Sequence, residues 1–464
     1  MKKQVDSPQQ EATWSALFRA PYLGPVSILA GGVFLYAMNL YFTAALLPTI
    51  IEDIGGQALY SWVATGFLLA AVTATMLVDR LLSSRGSRGA YLLAFAVFAA
   101  GAVVMVLSPN IIVLVLGRIV QGLGGGLLVG LGFACVRLLL PEALWQRTTA
   151  LVAAMWAFGT LLGPALGGLF GQFGGWRLAY ATLVLPAVLL ILLSYRAIRP
   201  ATSKAQPRRV PLGSLLVLAA AALCFSLASS LEGLLRLLCV LLGVAALIAF
   251  VLIERKSATT VLPAATYRRD SGLKWVYLSV AALSAGVMVE SFVPLFGHRL
   301  PGLNPLLAGL LGAALSAGWS VSQLVSAGLA GRRARGSLLL GPVLLTGGLL
   351  CYGLLQSSSG APLTVVAWAI LLFIAGAGIG LAYPQLSVAA LRSSQDDVEA
   401  AKAGAGLSTV QLIAYTMSAS IGGILLNLGD DQVTGARAGI LGIAGLTAFA
   451  IVFAVRARSE LKSS

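Results

Sequence analysis

The sequence is divided into about fourteen apolar segments that are separated by short polar stretches. The first of them, residues 26–50, contains no charged residue. A bilayer core about 30 Å thick requires roughly 20 apolar residues in a helix, and a helix satisfies its own backbone hydrogen bonds in lipid. Because the segments lack the alternation of membrane β-strands, they predict an all-α polytopic membrane protein. The predicted spans are residues 26–50, 59–79, 90–108, 111–135, 147–171, 178–197, 212–230, 234–253, 273–296, 304–329, 337–356, 363–389, 403–427 and 437–456.

The composition agrees with a membrane protein and not with a soluble one. Only 10% of the residues are charged and 58% are hydrophobic, whereas a soluble domain carries about 25% charged residues. The polar N-terminal stretch is too long for a signal peptide, so the first span is expected to remain in the mature protein. No cysteine has the spacing of a metal site or a disulfide framework, and we expect neither a metal nor a cofactor. The four cysteines are Cys135, Cys224, Cys239 and Cys351.

The basic residues predict how the spans are oriented, since lysine and arginine collect in cytoplasmic loops. With a cytoplasmic N-terminus, 26 of the 31 basic residues fall on the inner side, four fall on the outer side, and Arg118 lies within a span. Both termini are therefore expected in the cytoplasm of a multi-pass inner-membrane protein. The net charge of +15 then indicates contact with anionic membrane lipids and not with nucleic acid.

A weak internal repeat indicates two related halves. RGSRGAYLL at 85–93 is similar to RRARGSLLL at 332–340, and each follows a span with an internal tryptophan. Internal repeats are typical of transporters. The expected organisation is a cytoplasmic segment (1–25), a six-helix bundle (26–198), a basic cytoplasmic linker (199–211), two inserted helices (212–253), a second cytoplasmic linker (254–271), a second six-helix bundle (272–457) and a cytoplasmic tail (458–464).

Three stretches in the first half carry the most specific motifs. They are LLPTIIEDIGG at 46–56, LGRIVQGLGGG at 116–126 and GTLLGPALGG at 159–168. These stretches resemble the major facilitator superfamily, and the fourteen spans make the chain similar to the 14-helix drug:proton antiporter family. The resemblance implies the major facilitator fold, with two six-helix bundles plus two inserted helices. It also implies that the two bundles rock around a central site.

The glycines of the third motif share one helix face. Gly159, Gly163 and Gly167 recur at every fourth residue, and small residues at this spacing let another helix approach closely. Pro164 removes one backbone donor and bends the helix. The resemblance implies that the motif packs the two halves together and seals the cavity; ordinary glycine packing is the alternative.

Arg118 lies within the fourth predicted span, at a depth where a charge usually faces a cavity or a partner. With Gln121 and Gly122 it matches the fourth-helix motif of the family, which implies a role in proton exchange. A structural arginine that reaches the outer surface is the alternative interpretation.

Asp79 and Arg80 end the second predicted span. They resemble the family's loop motif, whose charged residues latch the two halves together on the cytoplasmic side. The match is degenerate, because Thr75 replaces the usual first glycine and residues 81–89 depart from the usual glycine–arginine run.

Asn39 occupies the place, nine residues before Pro48, where many proton-coupled relatives carry an acid. An amide cannot exchange protons at physiological pH. Glu290 is the only acidic residue well inside a predicted span, and burial favours the neutral form of a carboxyl group. We therefore expect Glu290 and Arg118 to couple transport to protons; a carboxylate exposed in a wet vestibule is the alternative. His298 is expected near the outer surface.

Several aromatic and amide residues fall where the family fold places the cavity wall, or on neighbouring spans. Aromatic faces can hold flat or cationic apolar molecules, although each residue taken singly is more typical of packing or lipid contact. The candidate substrate-binding residues are Tyr36, Asn39, Phe42, Trp62, Trp156, Met288, Trp319, Gln323, Tyr383, Gln411 and Tyr415.

The sequence thus predicts a secondary active transporter that exports lipophilic or cationic drug-like compounds in exchange for protons, as a monomer. Export of a lipid, a siderophore or another endogenous metabolite uses the same motifs and stays open. A membrane enzyme is disfavoured, because one histidine and one deep carboxylate do not provide a catalytic group. No phosphate-binding motif of the G-x-x-x-x-G-K-[ST] type occurs, so the energy is expected from an ion gradient.

Overall fold

The computed structural model describes residues 14–198, 211–257, 260–268, 271–326, 329, 331–393 and 397–457. Among these residues the regular structure is helical throughout. Fourteen helical segments of the described chain are long and apolar enough to cross a membrane, which confirms the predicted number. Residues 1–13, 199–210 and 458–464, which belong to the expected terminal segments and the first linker, lie outside this description.

We number the spans in chain order. Spans 1 to 7 are the helices Leu23–Ile54, Tyr60–Thr75, Val78–Val106, Ile111–Ala134, Glu142–Gln172, Trp176–Ala197 and Leu212–Ser230. Spans 8 to 14 are Gly233–Lys256, the interrupted span Leu273–Arg299, Pro305–Ser326, Gly331–Leu354, Pro362–Leu391, Asp397–Leu426 and Gln432–Ala457. The remaining short elements are the helices Trp14–Leu17 and Val136–Leu139 and the 3₁₀ turns Gln57–Leu59 and Ala264–Tyr267.

Contacts between loops place the turns after odd-numbered spans at one end of the molecule. Asp53 forms a 2.7 Å salt bridge with Arg177, and Arg177 donates to the Ser108 carbonyl at 3.2 Å. We call this the Asp53 end. We call the opposite end the Arg196 end, because Arg196 lies in the last turn of span 6 there. At this end the Arg88 guanidinium lies 3.9 Å from the centre of the Tyr195 ring. The spans therefore alternate in direction as the sequence predicts.

The helices form two packed groups and an attached pair. Spans 1–6 pack with one another, and so do spans 9–14. Span 8 packs chiefly on span 7, while span 7 also contacts span 2 of the first group and span 13 of the second. The two groups meet where span 5 packs on span 10 and span 2 packs on span 13.

Span 9 is interrupted in its middle. A helix over Leu273–Val287 is followed by a 3₁₀ turn, Met288–Ser291, and then by a helix over Val293–Arg299. Pro294 has no N–H, so the carbonyl of Glu290, four residues earlier, loses its helical partner. The chain tightens into a 3₁₀ turn at this point, and the apolar pattern of 273–296 does not reveal the break.

Candidate functional site

The central polar site begins with Arg118 on span 4. Its Nη1 donates to Gln121 Oε1 at 2.9 Å, and its Nε donates to the Val63 carbonyl at 3.3 Å. The guanidinium carbon lies 4.0 Å from the centre of the Phe67 ring, a cation–π contact. Arg118 is fully buried, and among the described residues no carboxylate forms a salt bridge with it.

Asn39 joins this group from span 1. Its Nδ2 donates to Gln121 Oε1 at 3.0 Å, so one amide oxygen accepts from both Asn39 and Arg118. Asn39 Oδ1 and Gln121 Nε2 are buried without a hydrogen-bond partner. Unpaired buried polar atoms are costly, so this group retains hydrogen-bonding capacity that a substrate or water can use. Asn39 is therefore linked to Arg118 through their shared acceptor, Gln121.

Glu290 lies in the 3₁₀ turn of span 9 and is 1% exposed. Ser316 Oγ on span 10 donates to the carboxyl group and lies 2.8 Å from Oε1 and 2.9 Å from Oε2. Burying an ionised carboxylate with a single hydroxyl donor is costly. The geometry therefore favours a carboxyl group that carries a proton while it is enclosed.

A small cavity joins the two groups of helices between these sites. It has a volume of about 20 Å³, which is room for about one water molecule. Arg118, Thr43 and Tyr60 line it from the first group, and Ser291 and Phe292 line it from the second. Arg118 thus lines this cavity, whereas Glu290 only precedes the lining residue Ser291 in the chain. Each of the two side chains is bonded to partners in its own group of helices.

A chain of side chains crosses the second group. Trp319 and Tyr383 have ring centres 6.2 Å apart. Tyr383 donates to Gln411 Oε1 at 3.1 Å, and Gln411 Nε2 donates to the Tyr415 hydroxyl at 2.6 Å. Trp319 Nε1 is buried without a partner. Tyr415 is fully buried on span 13, which packs on span 2 of the first group.

Of the other predicted substrate-binding residues, four are neighbours of the residues just described. Tyr36 stacks on Phe67, with ring centres 5.3 Å apart, and lies tilted against Trp156 at 5.5 Å; Phe67 in turn contacts Arg118. Met288 shares the turn of Glu290, and the half-buried Gln323 follows Trp319 on span 10.

Two predicted residues lie apart from the central site. Phe42 packs against Phe170 and Tyr180 within spans 1–6. Trp62 donates from Nε1 to the Ser226 carbonyl of span 7 at 3.0 Å. These two side chains therefore hold helices together in this arrangement.

The glycine–proline motif uses two faces of span 5. A Cβ atom built on Gly163 would lie 2.5 Å from the Met38 carbonyl oxygen of span 1, and one on Gly167 would lie 2.5 Å from that of Phe42. Gly159 faces span 1 in the same way. The face formed by Gly159, Gly163 and Gly167 therefore packs within its own group of helices.

Contact with the other group comes from the neighbouring residues of the motif. A Cβ atom built on Gly168 would lie 2.5 Å from the Pro305 carbonyl oxygen of span 10. The carbonyl of Pro164 abuts Gly309 on span 10. The sequence offered no signal for Gly309, because an isolated small residue in a span is common.

The closing contacts described between the two groups lie towards the Asp53 end. His298 Nδ1 lies 3.4 Å from Glu52 Oε1, and Arg299 donates to Gln57 Oε1 at 2.6 Å. Of the predicted latch at the opposite end, the side chain of Asp79 lies outside the description, and Arg80 is exposed.

The sequence pattern of the Major Facilitator Superfamily matches residues 29–425. The chain belongs to this superfamily. Two relatives from strains of Mycobacterium tuberculosis, each named "Probable multidrug-efflux transporter", are 39% identical to it over 446 residues, with 94% of each chain covered. The "Methylenomycin A resistance protein" of Streptomyces coelicolor is 25% identical over 460 residues, covering 93% of this superfamily member and 94% of that protein.

Solved structures of the superfamily share the fold. A bacterial homolog of the human lysosomal transporter Spinster, in an inward-facing and unoccupied conformation, matches with a TM-score of 0.67 at 13% identity, over 96% of this chain and 98% of that chain. The predicted all-α major facilitator fold is therefore confirmed, whereas the cytoplasmic position of both termini stays a prediction. Membership makes the protein a multi-pass membrane transporter and not an enzyme.

Proposed function

We propose that this transporter exports lipophilic or cationic drug-like compounds across the plasma membrane in exchange for protons. The observation that carries the proposal is Glu290, a buried carboxyl group in the interrupted middle of span 9. It precedes Ser291, which lines the cavity between the two groups of helices. The name of the relatives that are 39% identical supports the substrate class. The aromatic faces of Tyr36, Trp156 and Tyr383 suit flat apolar cations.

The orientation is part of the proposal. The basic residues assign the Arg196 end to the cytoplasm, so the closed Asp53 end faces outwards. The two groups then rock around the central site and expose it to each side in turn. In the described arrangement the Asp53 end is closed by the contacts of His298 and Arg299.

Exchange follows if protonation and substrate favour different states of one equilibrium. A proton from outside neutralises Glu290 and allows the carboxyl group to be enclosed when the outer side closes. A cationic substrate that enters from the cytoplasm favours the ionised carboxylate, and the proton leaves. Arg118, held by Gln121, keeps a positive potential on the opposite wall of the cavity.

The test is accumulation of a fluorescent cation in inverted membrane vesicles with an imposed pH gradient. Glu290→Gln should abolish gradient-driven accumulation while the protein still inserts, because an amide cannot carry the proton. Glu254→Gln is the matched control, since Glu254 is equally buried but lies at the end of span 8. Normal accumulation by the Glu290→Gln variant would refute the coupling role.

The substrate class has a separate test. A bacterial host that lacks its own efflux pumps should gain resistance to several unrelated lipophilic cations when it expresses the transporter. Resistance to none of them, together with release of a single cellular metabolite, would contradict drug export and leave the transport mechanism intact.

A further inference from the structure

Ser316 is the hydrogen-bond donor that the described residues place on the Glu290 carboxyl group. Its single hydroxyl faces both carboxyl oxygens, at 2.8 Å and 2.9 Å, and it is 1% exposed. A serine hydroxyl can donate to a carboxylate and accept from a protonated carboxyl group. Ser316 can therefore remain bonded to Glu290 in both protonation states, but with the direction of the hydrogen bond reversed.

The face of span 10 that carries Ser316 also forms the contact between the two groups of helices. Ser316, Gly312 and Gly309 are spaced at four and three residues and share one helix face. A Cβ atom built on Gly312 would lie 3.5 Å from Pro294 and 3.8 Å from the Glu290 carbonyl oxygen. Gly309, one turn further, abuts Pro164 of span 5. If span 10 shifts when the hydrogen bond between Ser316 and Glu290 changes, the contact of Gly309 with span 5 therefore changes as well.

We propose that Ser316 is the positioning residue through which the protonation of Glu290 acts on the contact between spans 5 and 10. The proposal rests on the proton-coupling role of Glu290 given above. Packed contacts between bundles have discrete arrangements, so a small displacement at one end of a helix can select between them.

Other polar groups face this region from the surrounding spans. Arg118 lines the adjoining cavity, and Tyr60 donates to the Ser291 carbonyl at 3.4 Å. Spans 1 and 13 both pack on the turn that carries Glu290, and each contributes a buried tyrosine, Tyr41 and Tyr415. Since the described hydrogen bond to the carboxyl group comes from Ser316, removing that hydroxyl isolates its effect.

The test compares the pH dependence of cation efflux in Ser316→Ala, Ser316→Thr and Glu290→Gln variants. Loss of a donor to a carboxylate disfavours the ionised form, so Ser316→Ala should move the midpoint of the profile upwards by about one to two pH units. Ser316→Thr keeps the hydroxyl and should retain the original midpoint. Ser320→Ala is the control, because its hydroxyl donates to the Ser316 carbonyl and not to Glu290.

Two results separate this inference from the proposed function. An unchanged midpoint in Ser316→Ala, with Glu290→Gln inactive, overturns the role of Ser316 alone. Proton-driven efflux by Glu290→Gln overturns the coupling role of Glu290. If Ser316→Ala fails to insert, Ser316→Cys supplies a weaker donor of similar size and should move the midpoint in the same direction by less; an unshifted Cys midpoint also counts against the inference.

An independent observation concerns the inserted pair. Hydroxyl groups join spans 2, 7 and 13 near the Asp53 end: Ser61 and Ser229 oxygens are 2.8 Å apart, and Ser420 Oγ lies 3.0 Å from both Ser226 Oγ and Thr65 Oγ1. Each of the three helices thus bonds to the other two. Span 7 therefore forms part of the seam between the two groups of helices.

Hydrogen bonds from Trp62 and to the Ala58 carbonyl also tie span 7 to the first group, but span 7 packs more extensively on span 13 than on span 2. Asn427 on span 13 donates to the Ser229 carbonyl at 2.6 Å. At the Arg196 end, Glu254 of span 8 accepts hydrogen bonds from the Val261 and Leu262 amides, which lie in the linker between spans 8 and 9. This linker also contacts span 13. The contact there is between Pro263 and Gly406, where a built Cβ atom would lie 3.2 Å from the proline ring.

We infer that span 7 is a moving part of the barrier at the Asp53 end and travels with spans 9–14 when that end opens. The bonds from Ser229 and Ser226 to span 13 then persist. The Ser61–Ser229 contact breaks, together with the bonds from Trp62 to Ser226 and from Ser230 to Ala58. A hydroxyl seam suits such a joint, because its short hydrogen bonds can be exchanged for water when the end opens.

Disulfide cross-links test this in a background that lacks the four native cysteines. Linking Ser61→Cys to Ser229→Cys should stop transport until reductant is added, whereas linking Ser226→Cys to Ser420→Cys should leave it intact. Transport through the first link, or loss of transport with the second, overturns the inference. A Thr65→Cys to Ser420→Cys link joins the two groups directly, and transport through it would instead refute the rocking mechanism.

Discussion

Gly309 lies where spans 5 and 10 bring the two groups of helices together, and its replacement by alanine tests whether this contact closes the Asp53 end. A Cβ atom at this position would overlap the Pro164 carbonyl oxygen. The obstacle is helix backbone, which cannot rotate away as a side chain can. The closed arrangement must therefore separate at this point or lose packing.

The magnitude follows from the cost of an added methyl group in a packed contact, about 1–3 kcal/mol. In the proposed rocking mechanism spans 5 and 10 separate when the Asp53 end opens, so only the closed arrangement bears this cost. The equilibrium should therefore shift towards opening at that end by about 5- to 150-fold.

The assay is the labelling rate of a single cysteine, Ser291→Cys, in purified protein in detergent. Ser291 is 5% exposed and lines the enclosed cavity, so a polar maleimide should react faster when the Asp53 end opens. Gly347→Ala is the control, because a Cβ atom at Gly347 meets no atom within 4 Å. An unchanged labelling rate in a folded Gly309→Ala variant would refute the assignment of this contact as the closure.

Three further perturbations have defined outcomes. Arg118→Lys keeps the charge but loses the planar donor group that bonds Gln121 and Val63. Because hydrogen bonds to charged groups contribute about 1.5–3 kcal/mol, efflux in vesicles should fall by at least about tenfold. Efflux at the wild-type rate would contradict this. Asp431→Ala removes an acceptor for the Thr434 amide at 2.8 Å and should lower thermal stability. That amide hydrogen bond holds the pKa of Asp431 below its usual value, so the wild type, unlike the variant, should lose this stabilisation as the pH falls below about 4. Tyr267→Phe removes a 2.8 Å hydrogen bond to Glu254 and should cost about 1–3 kcal/mol of stability, whereas the exposed Tyr195→Phe should not. Burial, reinforced by Glu254, raises the pKa of Tyr267. The stabilisation by this hydrogen bond should therefore be full at neutral pH and lost only as the pH rises beyond about 10. An equal melting temperature for Tyr267→Phe and wild type at pH 7 would contradict the role of this bond.

The span count and the alternation of spans could be predicted because both depend on local properties of the chain. A segment crosses the bilayer if it is long and apolar enough, whatever it packs against. The same holds for the glycine spacing in span 5, which identifies a helix face but not the helix that contacts it. Gly163 and Gly167 face span 1, and Gly168 faces span 10, a difference set by one step around the helix.

Apart from Gln121, which follows Arg118 by three residues on the same helix, the partners of the central side chains were decided by tertiary structure. Glu290 stands out in the sequence because a carboxyl group within a span is rare. Its partner Ser316 does not, since hydroxyl groups in spans are common and lie on every face. The sequence by itself thus determined the fourteen spans, their alternation and the unusual residues within them. The packing of distant helices decided which of those residues meet, because contacts between spans depend on long-range geometry that no local pattern encodes.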